Sequence, residues 1–351
     1  MHGGDIYNNI VDIDFSVSLN PYKTQKMSAL IDEAVQEGLS FAGRYPDIEQ
    51  RAVRSALAGA NNVSPDCVIA GNGSSELILA AVRAVLPKTA LLIEPCYGGY
   101  RYALESTGCR IREYHLKKED GFTLTEEIID SITGDIDMLF LCDPWNPTGQ
   151  NIDEHLLDRI LVRADELGIA VVLDRSFYML SDMYLKYTNE NIADLTGRFK
   201  KLFITVSYTK CLALPGIRTG YVIGSENAVR SIHRALPEWN MSCVSSALLS
   251  KIESSGSSQE FFSESVKMIS EERKFLAGEL SRCGLFVFES DANYILCYGQ
   301  KDIYEKLLSM GILIRRCDDL RGLQEGYYRI AVRSHEDNMR LIDAIGSGCQ
   351  T

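Results

Sequence analysis

Lys210 lies in the stretch "SYTKCLALPGIRTGY" (207–221), where no other charged residue occurs before Arg218. Desolvation disfavours an ammonium, and a neutral amine attacks aldehydes to form Schiff bases. Arg218, after the Pro-Gly turn, has the forked guanidinium that grips a phosphate through two hydrogen bonds. Asp174 ends the apolar run "AVVLD". A carboxylate there is costly unless paired, and a cationic ring nitrogen would be a fitting partner. Asn146, in "WNPTGQ", follows another apolar run and could hold an oxyanion with its amide. "GNGSSELI" (71–78) couples turn-forming Gly71 and Gly73 to a helix start at Ser74 and Ser75, whose N–H groups and hydroxyls suit a phosphate.

Each signal also has a plainer reading. "GNGSSELI" is equally a tight turn with a serine N-cap, and "WNPTGQ" an ordinary turn. Asp174 could cap a helix or pair with Arg175, and Lys210 could be a surface lysine with a buried stem. Taken together they describe one ligand, with a phosphate, an oxyanion, a cationic ring nitrogen and an aldehyde. Pyridoxal phosphate carries that set of groups.

The elements that must position these residues alternate in type. "CVIAG" (67–71), "ALLIEP" (90–95), "MLFLCDP" (138–144), "AVVLD" (170–174), "LFITVS" (202–207) and "GYVIG" (220–224) are continuous apolar runs. Such runs suit strands buried on both faces of a mostly parallel sheet. Helix-period segments lie between them, including "SSELILAAVRAVL" and "EHLLDRILVRADELG", the latter closed by Gly168. The pattern predicts a doubly wound α/β fold, with ligands beyond the carboxyl ends of the strands. We expect an N-terminal arm and helix over 1–40, a large domain over 41–240, and a smaller α+β domain over 241–351. The last would hold a mixed sheet from "LFVFES", "NYILCYG", "GILIRRC" and "YYRIAVRS". "SSGSSQ" (254–259) reads as a loop between helices.

Composition narrows the function. The net charge is −12 over 351 residues, which argues against nucleic acid and anionic membranes as partners. No apolar run is long enough to span a bilayer, and the first residues lack a signal-peptide pattern. The ten cysteines, Cys349 the last, form no C-x-x-C pair and have no zinc-site spacing to the histidines. They read as reduced thiols in a cytoplasmic protein, and no metal is expected. No G-x-G-x-x-G follows a first strand, which counts against a dinucleotide-binding dehydrogenase. A pyridoxal-phosphate fold kept only for binding would be expected to lack the lysine, and Lys210 is present.

The chain resembles fold-type I pyridoxal-phosphate enzymes of the class I/II aminotransferase group (the aspartate aminotransferase fold). It is most similar to the branch holding histidinol-phosphate aminotransferase and threonine-phosphate decarboxylase. "HGGDIYNN", "DFSVSLNPY", "RYPDIEQRAVRSALA", "GNGSSELI", "EPCYGGYRYAL", "NPTG", "SYTKCLALPGIRTGY" and "GILIRRC…YYRIAVRSHEDNMRLIDAI" occur in the order of that family. The resemblance implies that Lys210 forms the Schiff base and Asp174 pairs with the ring nitrogen. Asn146 would bond the phenolate oxygen, with Tyr97 stacked on the ring and Phe177 beside it. Ser74, Ser75, Ser207 and Arg218 would hold the phosphate, and Gly73 and Thr209 would also contact the cofactor. Tyr45 would reach the neighbouring subunit's cofactor, which implies a homodimer. Arg329, with Arg315 and Asn20, would bind the substrate. Without the resemblance, Arg329 reads as one half of a strand-surface ion pair.

Two departures bear on the reaction. "DRSFY" puts Arg175 where the family has an acid, and Phe177 where many aminotransferases carry a tyrosine; Tyr178 should face the other way. Phenylalanine at this place is similar to the decarboxylase branch. The arm carries Asp5 and Ser18 where the decarboxylases have asparagines, and an added acid there would repel a phosphorylated substrate. The expectation is an aminotransferase using an amino donor and a 2-oxo acid acceptor, with threonine-phosphate decarboxylation as the alternative.

Overall fold

A computed structural model describes residues 3–186 and 189–346, so His2 of the arm motif and Cys349 lie outside it. The arm contributes β1 (Ile13–Asp14). A seven-stranded sheet follows, built from β2 (Val68–Gly71), β3 (Thr89–Glu94), β4 (Arg110–His115), β5 (Met138–Cys142), β6 (Ala170–Asp174), β7 (Leu202–Ser207) and β8 (Gly220–Gly224). Their spatial order is β2-β8-β7-β6-β5-β3-β4, and β8 alone runs antiparallel to its neighbours. The later strands are β9 (Phe286–Val287), β10 (Tyr294–Tyr298), β11 (Ile312–Leu313), β12 (Arg315–Arg316) and β13 (Tyr327–Ala331).

The six apolar runs are all strands of the large sheet. Side chains such as Leu92, Leu139, Leu141 and Ile204 are fully buried, each stabilising the fold by about 1.5–3 kcal/mol. One strand of the large sheet went unread in the sequence. β4, "RIREYH", is the edge strand, and its residues are exposed or half-buried throughout, so it lacks the continuous apolar signature of its neighbours. The mixed C-terminal sheet also needs correction. β12, β13, β10 and β9 form a wholly antiparallel sheet, and β11 leaves it to pair in parallel with β1 of the arm.

Helix starts follow local chemistry. Thr24 caps the helix Gln25–Ser40 by accepting from the Met27 N–H at 3.1 Å, and Asp153 caps Glu154–Glu166. Gly168 has φ 69°, the left-handed conformation that suits a helix end. The helices Cys243–Ser254 and Ser258–Arg282 are joined by the loop expected around 254–259. The arm ties the two larger sheets to one another. The Asn20 N–H donates to the Lys210 carbonyl at 3.0 Å, and the Phe15 carbonyl accepts from the Ala331 N–H at 3.0 Å.

Candidate active site

Parallel strands deliver their carboxyl ends to one edge of the sheet, and the loops leaving β2, β3, β5, β6 and β7 all open there. β8 runs the other way, so the residues preceding it reach the same edge. This is why Arg218 precedes its strand while Ser74, Tyr97, Asn146, Phe177 and Lys210 follow theirs. A cavity of about 670 Å³ lies at this edge, walled also by the arm and by β12 and β13.

At one end the helix Ser74–Val85 points its N-terminus at the cavity, with no side chain capping it. Gly73 has φ 81°, and a Cβ there would stand 2.8 Å from Arg218 Nη2. Gly220 allows a second close approach, since a Cβ would meet Ser74 N at 3.0 Å. The Ser176 hydroxyl donates to Ser74 Oγ at 3.1 Å, and Ser75 Oγ lies 3.3 Å from the Tyr97 hydroxyl. Uncapped N–H groups, serine hydroxyls and a guanidinium around a space that only glycine leaves open fit a phosphate monoester. Gly73→Ala should displace Arg218 and weaken pyridoxal-phosphate binding by about 10- to 100-fold, the weight of one charge-assisted hydrogen bond. Equilibrium dialysis of the apoprotein measures it, and an unchanged Kd would count against this cradle.

Lys210 lies across the cavity, its Nζ 5.8 Å from the Phe177 ring centroid. Burial, then the charges of Arg329 and Arg218, lower its pKa to about 8 against the pull of Asp174. At pH 7 about one molecule in ten then holds the neutral amine, against about one in several thousand for an ordinary lysine. Capture of an aldehyde by the apoprotein should therefore accelerate as pH rises through about 8 and level off above it. Stopped-flow absorbance over pH 6–10 tests this; a rate still climbing through pH 10 would contradict it. The linkage has the same direction. The buried ammonium destabilises the apoprotein fully below pH 8, and the penalty is relieved as pH rises toward the unfolded value of about 10.5.

Asp174, nearly fully buried, accepts from the Tyr100 hydroxyl at 2.7 Å, the Ser176 N–H at 2.9 Å and Thr205 Oγ1 at 3.2 Å. It does not pair with Arg175. That guanidinium turns away from the cavity, 3.6 Å from the buried Asp143 carboxylate and over the Tyr178 ring at 5.0 Å. Tyr178 faces the core as expected, and Phe177 packs edge-on against Tyr294 with ring centroids 4.9 Å apart. Neither Arg175 nor Tyr178 lines the cavity.

Arg329 is on β13, register partner of Arg315 on β12. It donates to Asn146 Oδ1 at 2.7 Å and to the Ser16 carbonyl at 2.9 Å, both neutral acceptors, and its Nε has no hydrogen-bond partner. Burial pulls its pKa below the usual arginine range, with the charge retained. Asn146, its oxygen occupied by Arg329, keeps its amide N–H groups as donors. Arg315 differs, because Asp319 already engages it at 2.8 Å. Ser18 Oγ lines the cavity, buried and without a hydrogen-bond partner.

Ser207 and Thr209 also line the cavity, with the Thr209 hydroxyl turned to the Thr219 carbonyl at 3.3 Å. Two expected residues lie elsewhere. Asn20 sits behind Lys210, its amide N–H groups donating to the Cys211 carbonyl and Ser265 Oγ and its oxygen accepting from the Tyr22 N–H. It positions the lysine segment and has no donor left for substrate. Tyr45 is 78 % exposed, tilted against the Trp239 ring with centroids 4.8 Å apart, and away from this cavity. Asp5 lines a neighbouring cavity of about 460 Å³ instead.

Sequence reasoning missed Tyr100, the Ser16 carbonyl and Thr205. Tyr100 has a faint signal, lying one helical turn beyond Tyr97 in "CYGGYRY". Burial separates it from Tyr102 outright: Tyr100 is buried and Tyr102 is 73 % exposed.

A family model described as "Aminotransferase class I and II" matches residues 11–345. A threonine-phosphate decarboxylase from Salmonella typhimurium is 31 % identical over 338 residues, 95 % of this chain and 90 % of that protein. A histidinol-phosphate aminotransferase from Methanosphaera stadtmanae is 25 % identical over 324 residues, 89 % and 84 % of the two chains. Among solved structures, the histidinol-phosphate aminotransferase from Clostridium acetobutylicum superposes with a TM-score of 0.85 at 26 % identity, covering 96 % of this chain and 98 % of its own.

Proposed function

The chain belongs to the class I and II aminotransferase family, whose members are pyridoxal-phosphate enzymes, and we propose that it moves the amino group of an α-amino acid to a 2-oxo acid through Lys210. The carrying observation is the Lys210 amine, buried at the strand ends in one cavity with Asp174, Arg218 and Arg329 and poised near neutrality.

When bound, pyridoxal phosphate supplies an aldehyde that condenses with amines and a ring that accepts the electron pair released at the substrate Cα. The Ser74–Ser75 helix start and Arg218 would bind the phosphate end. Asp174 stands to hold the proton on the ring nitrogen. Asn146 would donate to the ring oxygen, and Tyr97 would lie against the ring. Arg329 binds the α-carboxylate and thereby orients the bonds at Cα. Lys210, as a neutral amine, would take up the substrate Cα proton at Nζ and give it back, acting as general base and then acid.

A second reading, loss of CO₂ from threonine phosphate, is favoured by Phe177, which offers no hydroxyl, and by the likeness to the Salmonella decarboxylase. Arg315 counts against it, because a substrate phosphate would have to displace Asp319. One experiment separates the two. The holoprotein is mixed with single amino acids, threonine phosphate and histidinol phosphate, without an oxo acid. Conversion of the cofactor to its amine form without CO₂ supports transamination; CO₂ with the cofactor spectrum restored overturns it.

The same proposal includes a homodimer in which Tyr45 reaches the neighbouring site. Its support is the exposed aromatic pair Tyr45–Trp239, and a monomer in sedimentation equilibrium would refute it. A cytoplasmic location is proposed from the nine free cysteines among the described residues. No helix among them is long and apolar enough to cross a membrane.

A further inference from the structure

Asp174 is held from both sides. Its Oδ1 accepts from the Ser176 N–H and Thr205 Oγ1, and its Oδ2 from Tyr100. The Tyr100 bond, at 2.7 Å, is the shortest of these, and its donor is almost completely buried. Tyr100 has little freedom to swing away. It stacks on Phe140 with centroids 5.0 Å apart at 25°, and meets Tyr97 edge-on at 5.4 Å and 85°. It therefore touches both the carboxylate assigned to the ring nitrogen and the aromatic side chain assigned to the ring face.

We infer that Tyr100 is a positioning residue: by donating to Asp174 Oδ2 it holds that carboxylate in place for the cofactor's ring nitrogen, so that the ring keeps its proton. The inference rests on the pyridoxal-phosphate reading above. A carboxylate and a ring nitrogen in contact share one proton, which resides on the stronger base. Every hydrogen bond donated to the carboxylate stabilises its anion and leaves the proton on the ring. In a water-free pocket no solvent replaces a missing donor. Tyr100 is suited to the task because burial, with Asp174 alongside, pushes its own pKa far up, so it remains a donor at every working pH. Thr205 and Ser176 both serve Oδ1, so Tyr100 is the donor the structure provides to Oδ2.

The test uses holoprotein carrying ring-¹⁵N pyridoxal phosphate. In the wild type the ¹⁵N resonance should hold the pyridinium position across pH 6–9. Tyr100→Phe keeps the packing against Phe140 and Tyr97 and removes only the hydroxyl. Its resonance should move toward neutral pyridine, with cofactor affinity falling by about tenfold. Tyr100→His, which restores a donor, should move it back. A purely structural tyrosine would lower the melting temperature in Tyr100→Phe and leave the resonance in place, and that result would overturn the inference. Should Tyr100→Phe fail to fold, a wild-type ring nitrogen that loses its proton near neutral pH would overturn it equally. Wild-type protein that takes up no pyridoxal phosphate would remove the cofactor reading and this inference together. Uptake with an unmoved Tyr100→Phe resonance would remove this inference alone.

Discussion

Lys210→Ala should retain the fold and lose turnover by at least about 10⁴-fold, the upper range for a positioned acid–base group. On the proposed reading two functions leave with the amine, the nucleophile toward the cofactor aldehyde and the proton carrier at Cα. The loss is not a folding defect, because a buried ammonium destabilises the apoprotein below pH 8 and alanine removes that penalty. The phosphate cradle around Gly73 and Arg218 stays intact, so the variant should still bind pyridoxal phosphate, without a covalent link. Borohydride treatment followed by mass spectrometry should tag the wild type at Lys210 and leave the variant untagged. A tag on another lysine, or turnover within tenfold of wild type, would end the assignment. Added small amines should restore part of the proton-transfer activity if the cavity admits them.

The second large effect falls on Arg329. Arg329→Gln should reduce kcat/KM for α-amino acids by about 30- to 5,000-fold, following the 2–5 kcal/mol cost of truncating one side of a buried charge pair. Much of this should appear as a raised KM, since on the proposed reading the guanidinium binds the carboxylate before and during reaction. Some loss in kcat should accompany it, because Arg329 also orients Asn146 through the 2.7 Å bond to Oδ1. An amine lacking the carboxylate gives the control. It should react poorly with the wild type and no worse with the variant. Equal losses for both substrates would show that Arg329 supports the fold of β13 and does not read the carboxylate. Arg315→Gln should cost less, because Asp319 already neutralises that guanidinium.

Much of the site can be read along the chain because the fold is largely parallel. In such a sheet successive strands end at one edge, so the residue after each apolar run is a candidate, and Asp174, Asn146 and Lys210 are found in this way. Where that regularity stops, so does legibility. β4 is an edge strand with no buried face to write a continuous apolar run, and β11 pairs with the distant arm, which local pattern cannot foretell. Asn20, beside Pro21 in the arm, reads as a substrate contact, yet its amide is consumed by the Cys211 carbonyl, Ser265 Oγ and the Tyr22 N–H.

By its order of residue types alone, the sequence determined the α/β class, the edge of the sheet where a ligand binds and the set of groups that pyridoxal phosphate requires. Those properties follow from local periodicity and strand polarity, which need no knowledge of distant contacts. Only the tertiary structure decided the charge states and commitments of those groups. Lys210 is poised near pH 8 because burial and two arginines from separate segments act on it together. Arg329 stays open to an anion and Arg315 does not, because Asp319 lies beside one of them. Tyr100, not Tyr102, meets Asp174, because one helix face packs on the sheet and the other faces solvent. Electrostatics and hydrogen bonding act through space over a few ångströms, and which groups come that close is set by the packing of the whole chain.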